Sequence, residues 1–387
     1  MPVVNRIAAY ADEMKTWRRW MHRNPELGFD LPKTSAFVAE RLRDFGVDAL
    51  HEGIAKTGMV AIIEGRAPGP TIGLRADMDA LPIHEASGAE WSSETPGRMH
   101  ACGHDGHTTM LLGAAKYLAE TRNFAGRVAC IFQPAEENGG GGVKMVEEGI
   151  MDRFGIDRVF GLHCGPHIPM GHFHTRPGPI LASADEFRIE VTGRGGHGAN
   201  SHKAIDPIPA LVSILQALST IPARNRAPAE MLAMSVTQIH AGQAHNIIPE
   251  AGWLGGTVRA YDTATQDMVE RRMQEIVDGN AAAFGVTARL EYTRDLAATV
   301  NDPGETEVAA RAARAVAGEA GVDDNVPARN GSEDFGAMLA ARPGAFLFLG
   351  MGDGPYLHDP KFDFNDDIAP IGASFFATLV EQSQPLA

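Results

Sequence analysis

Cysteine is scarce in this chain. Three thiols in 387 residues (Cys102, Cys130 and Cys164) are too few, and odd in number, for a disulfide framework, and Cys102 stands among histidines. Reduced thiols and a cytoplasmic setting are the simpler expectation. Positive charge is short as well: 34 Lys and Arg against 49 Asp and Glu leave a formal charge of -15. A chain without a basic face cannot neutralise phosphates, which argues against nucleic acid and anionic membrane as partners and leaves a small molecule. Long apolar runs are missing too, all falling short of the roughly 20 residues that span a bilayer. The opening Met1-Pro2-Val3-Val4-Asn5-Arg6 has no apolar stretch after a basic one, so no secretory signal is expected. Internal repeats and low-complexity segments are absent. What is present, 44% hydrophobic and 21% charged residues, is an ordinary globular composition in a chain too long for one ordinary core.

The pattern along the chain suggests how that length is divided. Residues from Ile7 to Phe45 read as helices broken near Pro25, Gly28 and Pro32. Short apolar runs then alternate with helical stretches: Val60 to Ile63, Ile72 to Leu74, a helix through Met110 to Leu118, Arg127 to Phe132, and Arg158 to Leu162. This rhythm predicts a layered α/β domain around a central mixed sheet. From Ala184 the character changes. Phe187, Ile189 and Val191 alternate with charged or polar residues as in a half-buried strand, and Asp206-Pro207 opens a helix with one apolar stripe. Two strand-like stretches, a helix beginning at the capping-box pattern Thr263-Ala264-Thr265-Gln266, and a strand near Val286 to Tyr292 complete a β-α-β-β-α-β unit. The expected division is residues 1–183 and 297–387 for the α/β domain, with a ferredoxin-like α+β module, residues 184–296, inserted.

Chemistry concentrates in two segments about thirty residues apart, His100-Ala101-Cys102-Gly103-His104-Asp105-Gly106-His107 and Gln133-Pro134-Ala135-Glu136-Glu137. Thiolate and imidazole suit transition metals, and two adjacent glutamates allow one to bind metal while the other moves protons. A lone histidine usually packs or hydrogen-bonds, but Cys102, His104 and His107 within six residues form a cluster. Two ligands from one turn cannot close a site. Glu137 and His163, each following an apolar run, are natural complements, whereas His358 is a distant candidate that spacing alone would not select. The run Gly139-Gly140-Gly141-Gly142 lacks the Gly-Lys-Ser/Thr ending of a phosphate loop, so these glycines are expected to let the backbone turn tightly.

Several motifs in order carry a family resemblance: Arg75-Ala76-Asp77-Met78-Asp79-Ala80-Leu81-Pro82, the two segments above, Gly161-Leu162-His163, Gly195-Gly196-His197-Gly198-Ala199, Asn246-Ile247-Ile248-Pro249 and Gly331-Ser332-Glu333-Asp334-Phe335. Over essentially its whole length the chain resembles the hippuricase, aminoacylase and auxin-conjugate amidohydrolases. These are co-catalytic metallopeptidases related to carboxypeptidase G2 and succinyl-diaminopimelate desuccinylase. The resemblance implies two divalent metal ions per subunit, manganese or zinc first and cobalt or nickel as alternatives, held by Cys102, His104, Glu137, His163 and His358, with Cys102 bridging. It implies Glu136 as general base and Asp77 and Asp79 as orienters behind the ligands. It also implies that the inserted module is a lid that forms a homodimer, with His197 reaching the partner's active site and Asn246 and Arg259 near the substrate carboxylate. The expected activity is hydrolysis of N-acyl-amino acids, with dipeptidase or carboxypeptidase action as the alternative and a binding-only protein as a third reading. The chain departs from the pattern at Asp77, where the wider superfamily has histidine, at Ser201-His202, where proline often precedes histidine, and at Leu296-Ala297-Ala298.

Overall fold

A computed structural model describes residues 4–227 and 230–386. The chain divides into two units, Met1–Ile180 with Val300–Ala328 and Asp334–Ala387, and Leu181–Thr299 with Arg329–Glu333. The first unit is built on an eight-stranded mixed sheet. Its strands β1 (Ala49–Ile54), β2 (Gly58–Glu64), β3 (Ala67–Asp77), β4 (Ala125–Gln133), β5 (Arg158–Pro166) and β6 (Phe173–His174) are joined by Val322–Asp323 and Gly344–Gly352. Across the sheet the order is β1, β2, β4, β3, β5, Gly344–Gly352, β6, Val322–Asp323. The four central strands β4, β3, β5 and Gly344–Gly352 run parallel, so their carboxyl ends share one edge. Parallel strands covered on both faces carry apolar runs instead of alternation, and Ile72, Leu74, Val128, Ile131, Phe160, Phe346 and Leu347 are all fully buried.

Helix His104–Thr121 packs against Ala11–Arg23 and Ala369–Ser383. It is buried on nearly every side, which explains its weakly amphipathic sequence. Strand β1 was not legible in the sequence, because Ala49–Ile54 is half-exposed and its pairing with β2 is interrupted by a bulge between Glu52 and Ile54.

The second unit carries a four-stranded antiparallel sheet in the order Leu232–Ala241, Ala251–Ala260, Ala184–Thr192, Thr287–Leu296. With helices Pro207–Leu218 and Thr263–Phe284, the succession is the expected β-α-β-β-α-β. The alternation read at Phe187, Ile189 and Val191 places all three in a core with Leu211, Ile214, Val269 and Met273. Full burial of each such side chain contributes about 2 kcal/mol, and truncating Ile214 to Ala is expected to cost about 2–5 kcal/mol. The capping-box expectation is corrected. Asp262, not Thr263, caps the second helix by accepting from the Thr265 N–H at 2.7 Å. Gln266 turns inward instead, its amide donating to both oxygens of buried Asp185 at 2.8 and 3.1 Å.

Candidate metal centre

The shared carboxyl edge of the parallel strands gathers the residues that the motifs singled out. Asp77 ends β3, Gln133 ends β4 and His163 lies in the carboxyl-terminal half of β5. After Gln133 the backbone reverses through Ala135 at φ +55° into the short helix Glu136–Gly139. The two oxygens of Asp79 accept the N–H groups of Glu136 at 2.9 Å and Glu137 at 3.1 Å, so one carboxylate orients both glutamates. The glycine run then lets the chain fold back, since a Cβ on Gly141 would stand 1.7 Å from the Pro134 carbonyl oxygen. Cys102 and His104 flank Gly103, which starts helix His104–Thr121 at φ +84°. A side chain at Gly103 would meet the Cys164 Sγ at 2.7 Å, so only glycine fits. His358 comes from an irregular loop whose backbone N–H donates to the Ala101 carbonyl at 2.8 Å, tying it to the Cys102 turn.

These turns bring five candidate donors together. The donor atoms of Cys102, His104 and His163 lie within 4.8 Å of one another, as do those of Cys102, Glu137 and His358. The two sets overlap at Cys102, whose Sγ is 3.5 Å from His163 Nε2. Glu137 Oε1 lies 3.3 Å from His358 Nε2 and 3.8 Å from His104 Nε2, while Glu136 Oε2 is 3.9 Å from the same His104 nitrogen.

The electrostatics fit a cation there. Both ring nitrogens of His104 are buried without a hydrogen-bond partner among the described residues. Burial would lower its pKa, yet Asp77, Asp79 and Glu137 outweigh that and push it up to about 10. A ring so surrounded by anions calls for positive charge, which a divalent ion supplies. His163 is set for ligation: its Nδ1 donates to the Cys164 carbonyl at 2.7 Å, and burial and His107 hold its pKa well below the usual range, so the neutral ring offers Nε2. Burial, followed by Glu137 and Glu136, raises the Cys102 pKa, so a thiolate there requires a nearby cation.

His107, one of the three clustered candidates, is occupied otherwise. Its Nδ1–H donates to Asp77 Oδ1 at 2.7 Å and its Nε2 accepts the Cys164 N–H at 2.9 Å, which makes it a strut between β3 and β5.

Two polar networks hold the centre from behind. Arg75, fully buried, donates to Gln133 Oε1 at 2.8 Å and pairs with Asp77 at 2.7 Å and Asp334 at 3.1 Å. Asp334 also accepts from the Gln133 amide at 2.7 Å and the Gly142 N–H at 2.7 Å. This joins the ends of β3 and β4 to the glycine run. Burial would raise the Asp77 pKa, but His104, Arg75 and His107 hold it well below the usual carboxylate range. Below His104, Asp105 pairs with buried Arg18 at 3.0 Å and with His22 at 2.7 Å, and His22 reaches Glu85 at 3.2 Å. Arg75, Gln133 and Asp334 sit inside quoted motifs yet had no role assigned from sequence, and Arg18 and His22 carried no sequence signal.

Replacing Asp79 by Ala removes the shared cap of both glutamates. The expected outcome is a loss of about 0.5–2 kcal/mol of stability and a 10- to 100-fold weaker metal affinity, measured by thermal unfolding and calorimetric metal titration.

The remaining candidates lie in the second unit. His197 sits on the short strand Gly196–His197, paired with Ile247–Ile248, and is exposed. Its Nδ1 accepts the Ala199 N–H at 3.1 Å, which leaves Nε2 as the donor nitrogen of the ring. The Asn246 carbonyl accepts the Gly198 N–H at 2.8 Å. Arg259 is half-buried and donates to Thr257 Oγ1 at 2.6 Å and the Val258 carbonyl at 3.0 Å.

Residues 73–382 match the model of peptidase family M20/M25/M40. The chain belongs to that family. It is 38% identical over 379 residues to a hippurate hydrolase of Campylobacter jejuni, with 98% of each chain covered. It is 39% identical over 393 residues to the thermostable carboxypeptidase 2 of Saccharolobus solfataricus, again with 98% of each covered. Among solved structures, the YXEP protein of Bacillus subtilis, described as a dinuclear metal-binding peptidase of the M20 family, superposes with a TM-score of 0.87 at 31% identity, covering 97% of this chain and 99% of that one. The family resemblance read from the motifs therefore holds, and with it a metallo-hydrolase acting on amide bonds. Among the described residues no helix is long and apolar enough to cross a membrane.

Proposed function

We propose that this M20 hydrolase cleaves the amide bond of N-acyl-amino acids, releasing a carboxylate and a free amino acid, with hippurate-like substrates foremost. The observation that carries the reading is the pair of donor sets overlapping at Cys102, with Glu136 beside them and oriented by the same Asp79 that orients Glu137. In this reading Cys102, His104, Glu137, His163 and His358 hold two divalent ions, manganese or zinc in preference to cobalt or nickel. Such ions supply Lewis acidity toward the amide carbonyl and toward water.

The chain's own residues do the rest. Glu136 accepts a proton from the attacking water and passes it to the leaving nitrogen, a transfer that contributes about 100- to 10,000-fold. Asp79 keeps that carboxylate in place. His163 presents Nε2 because its Nδ1–H is committed to the Cys164 carbonyl, and His107 braces β3 against β5 through Asp77 and the Cys164 N–H. His197, with Nε2–H free, donates to the developing oxyanion from the partner subunit of a homodimer, and Asn246 and Arg259 receive the substrate carboxylate.

A second reading, peptide hydrolysis by the same groups, is favoured by the identity to the thermostable carboxypeptidase. Hydrolysis rates for N-benzoylglycine, N-acetyl-amino acids, dipeptides and blocked peptides on metal-loaded protein separate the two. Turnover confined to peptides would sink the N-acyl assignment. Exhaustive chelation is expected to abolish hydrolysis, and manganese, zinc or cobalt to restore it to different extents; activity that persisted in metal-free protein would leave the five donors without a role.

A further inference from the structure

Four of the five candidate donors have buried side chains, whereas His358 is carried by a loop and its side chain is 53% exposed. Its backbone is left-handed, at φ +66°, a conformation that a residue with a Cβ keeps only where its surroundings over-determine it. The bond from the His358 N–H to the Ala101 carbonyl fixes one point. More restraint lies five residues on. From His358 the chain turns tightly, the Asp359 carbonyl accepting the Phe362 N–H at 2.9 Å and the Asp359 side chain accepting the Lys361 N–H at 2.8 Å. Phe362 and Phe364 are buried against the start of helix His104–Thr121, where a Cβ at Gly106 would stand 2.2 Å from the Phe364 ring. Between those two rings in sequence, Asp363 Oδ1 accepts from buried Arg18 at 2.5 Å and from Trp91 Nε1 at 3.1 Å. Arg18 pairs in turn with Asp105, the neighbour of His104, at 3.0 Å, and Arg19 covers the Trp91 ring at 3.3 Å while donating to Asp366 at 2.9 Å.

We propose that Asp363, gripped by Arg18 and Trp91, is the positioning residue for His358, fixing from five residues away the loop that presents the fifth donor. The buried rings alone would hold the loop at its depth, because apolar contact has no direction, but a carboxylate caught by a guanidinium and an indole N–H fixes orientation as well. Arg18 serves both ends of the centre. Through Asp105 it braces the helical turn that begins with His104, and through Asp363 the loop of His358, so two donors far apart in sequence share one buried guanidinium. The consequence for metal rests on the two-ion reading above. Loss of Asp363 strikes the set Cys102, Glu137 and His358 and spares the set Cys102, His104 and His163, which has no member on the loop.

The test uses full-length wild-type, Asp363→Ala, Asp363→Asn and Trp91→Phe protein, with Lys361→Ala as a control on the same loop. Calorimetric titration of the metal-stripped chains with manganese is expected to show, in Asp363→Ala, one of two ions bound about 10- to 100-fold more weakly and the other within about threefold of wild type. Asp363→Asn, whose amide oxygen still accepts from both donors, and Trp91→Phe, which leaves Arg18 in place, are expected to fall between; Lys361→Ala matches wild type. Where the wild-type chain binds two ions, equal weakening of both in Asp363→Ala overturns the assignment and makes Asp363 a general support of the fold, and unchanged affinities overturn it too. Hydrogen exchange at the His358 amide of the metal-free chains reads position without metal. It is expected to quicken about tenfold or more in Asp363→Ala while the amides of helix His104–Thr121 keep their rates. An unchanged His358 rate overturns the proposal whatever the metal does. If the wild-type chain takes up a single ion or none, a faster His358 rate in Asp363→Ala with the helix unaltered sustains the positioning role, and only the two-ion reading falls.

Discussion

Glu136→Gln protein is expected to retain its full complement of metal and to lose turnover by about 1,000-fold or more. The amide that replaces the carboxylate has the same shape, and its backbone N–H still donates to Asp79, so the short helix and Glu137 keep their positions. What disappears is the basic oxygen, without which no group at that place takes a proton from water. The five candidate donors do not include Glu136, whose Oε2 stands 3.9 Å from His104 Nε2. Metal analysis beside the kinetics reads the two roles separately. Metal lost together with activity would show Glu136 to be a ligand and exchange its role with Glu137.

The second large effect concerns the subunits. His197→Ala alone is expected to lower kcat by about 100- to 1,000-fold through loss of one oxyanion donor. Mixing this inactive protein with inactive Glu136→Gln protein, under conditions that exchange subunits, is expected to restore activity. Each heterodimer holds one complete site, the intact Glu136 of one chain served by the intact His197 of the other. Random pairing makes half the molecules heterodimers with one good site of two, so recovery approaches about a quarter of wild-type activity. Proven exchange without recovery would mean that His197 acts within its own chain or not at all.

Much of the α/β architecture was legible because buried parallel strands have to be short apolar runs, and the residues following those runs stand at a common edge. Glu137, His163 and Asp77 are legible for that reason. Cys102 and His104 are legible because soft and borderline donors two residues apart are rarely accidental. His358 is different. Its approach depends on the strand Gly344–Gly352 lying beside β5 and on a hydrogen bond to Ala101, and neither leaves a periodic trace in sequence. The same holds for Arg75 and Asp334, whose pairing spans the inserted unit. His107 shows the converse, a residue in the right cluster whose two nitrogens are consumed by Asp77 and the Cys164 backbone. At Thr263 local pattern misled, because Asp262 one residue earlier is the better cap and Gln266 is drawn inward by buried Asp185.

The order in which the chain emerges during synthesis gives the strand arrangement one more consequence. Strand β5 is made before the second unit, but its neighbour Gly344–Gly352 and the covering helix Ala369–Ser383 come only after that unit is complete. Until then β5 presents an unpaired apolar edge, the kind of surface that chaperones protect and that aggregates when left bare. His358 arrives in the same late stretch, so a growing chain carries Cys102, His104, Glu137 and His163 without the loop that brings the fifth donor. The candidate metal centre thus lacks its fifth donor until the final segment docks.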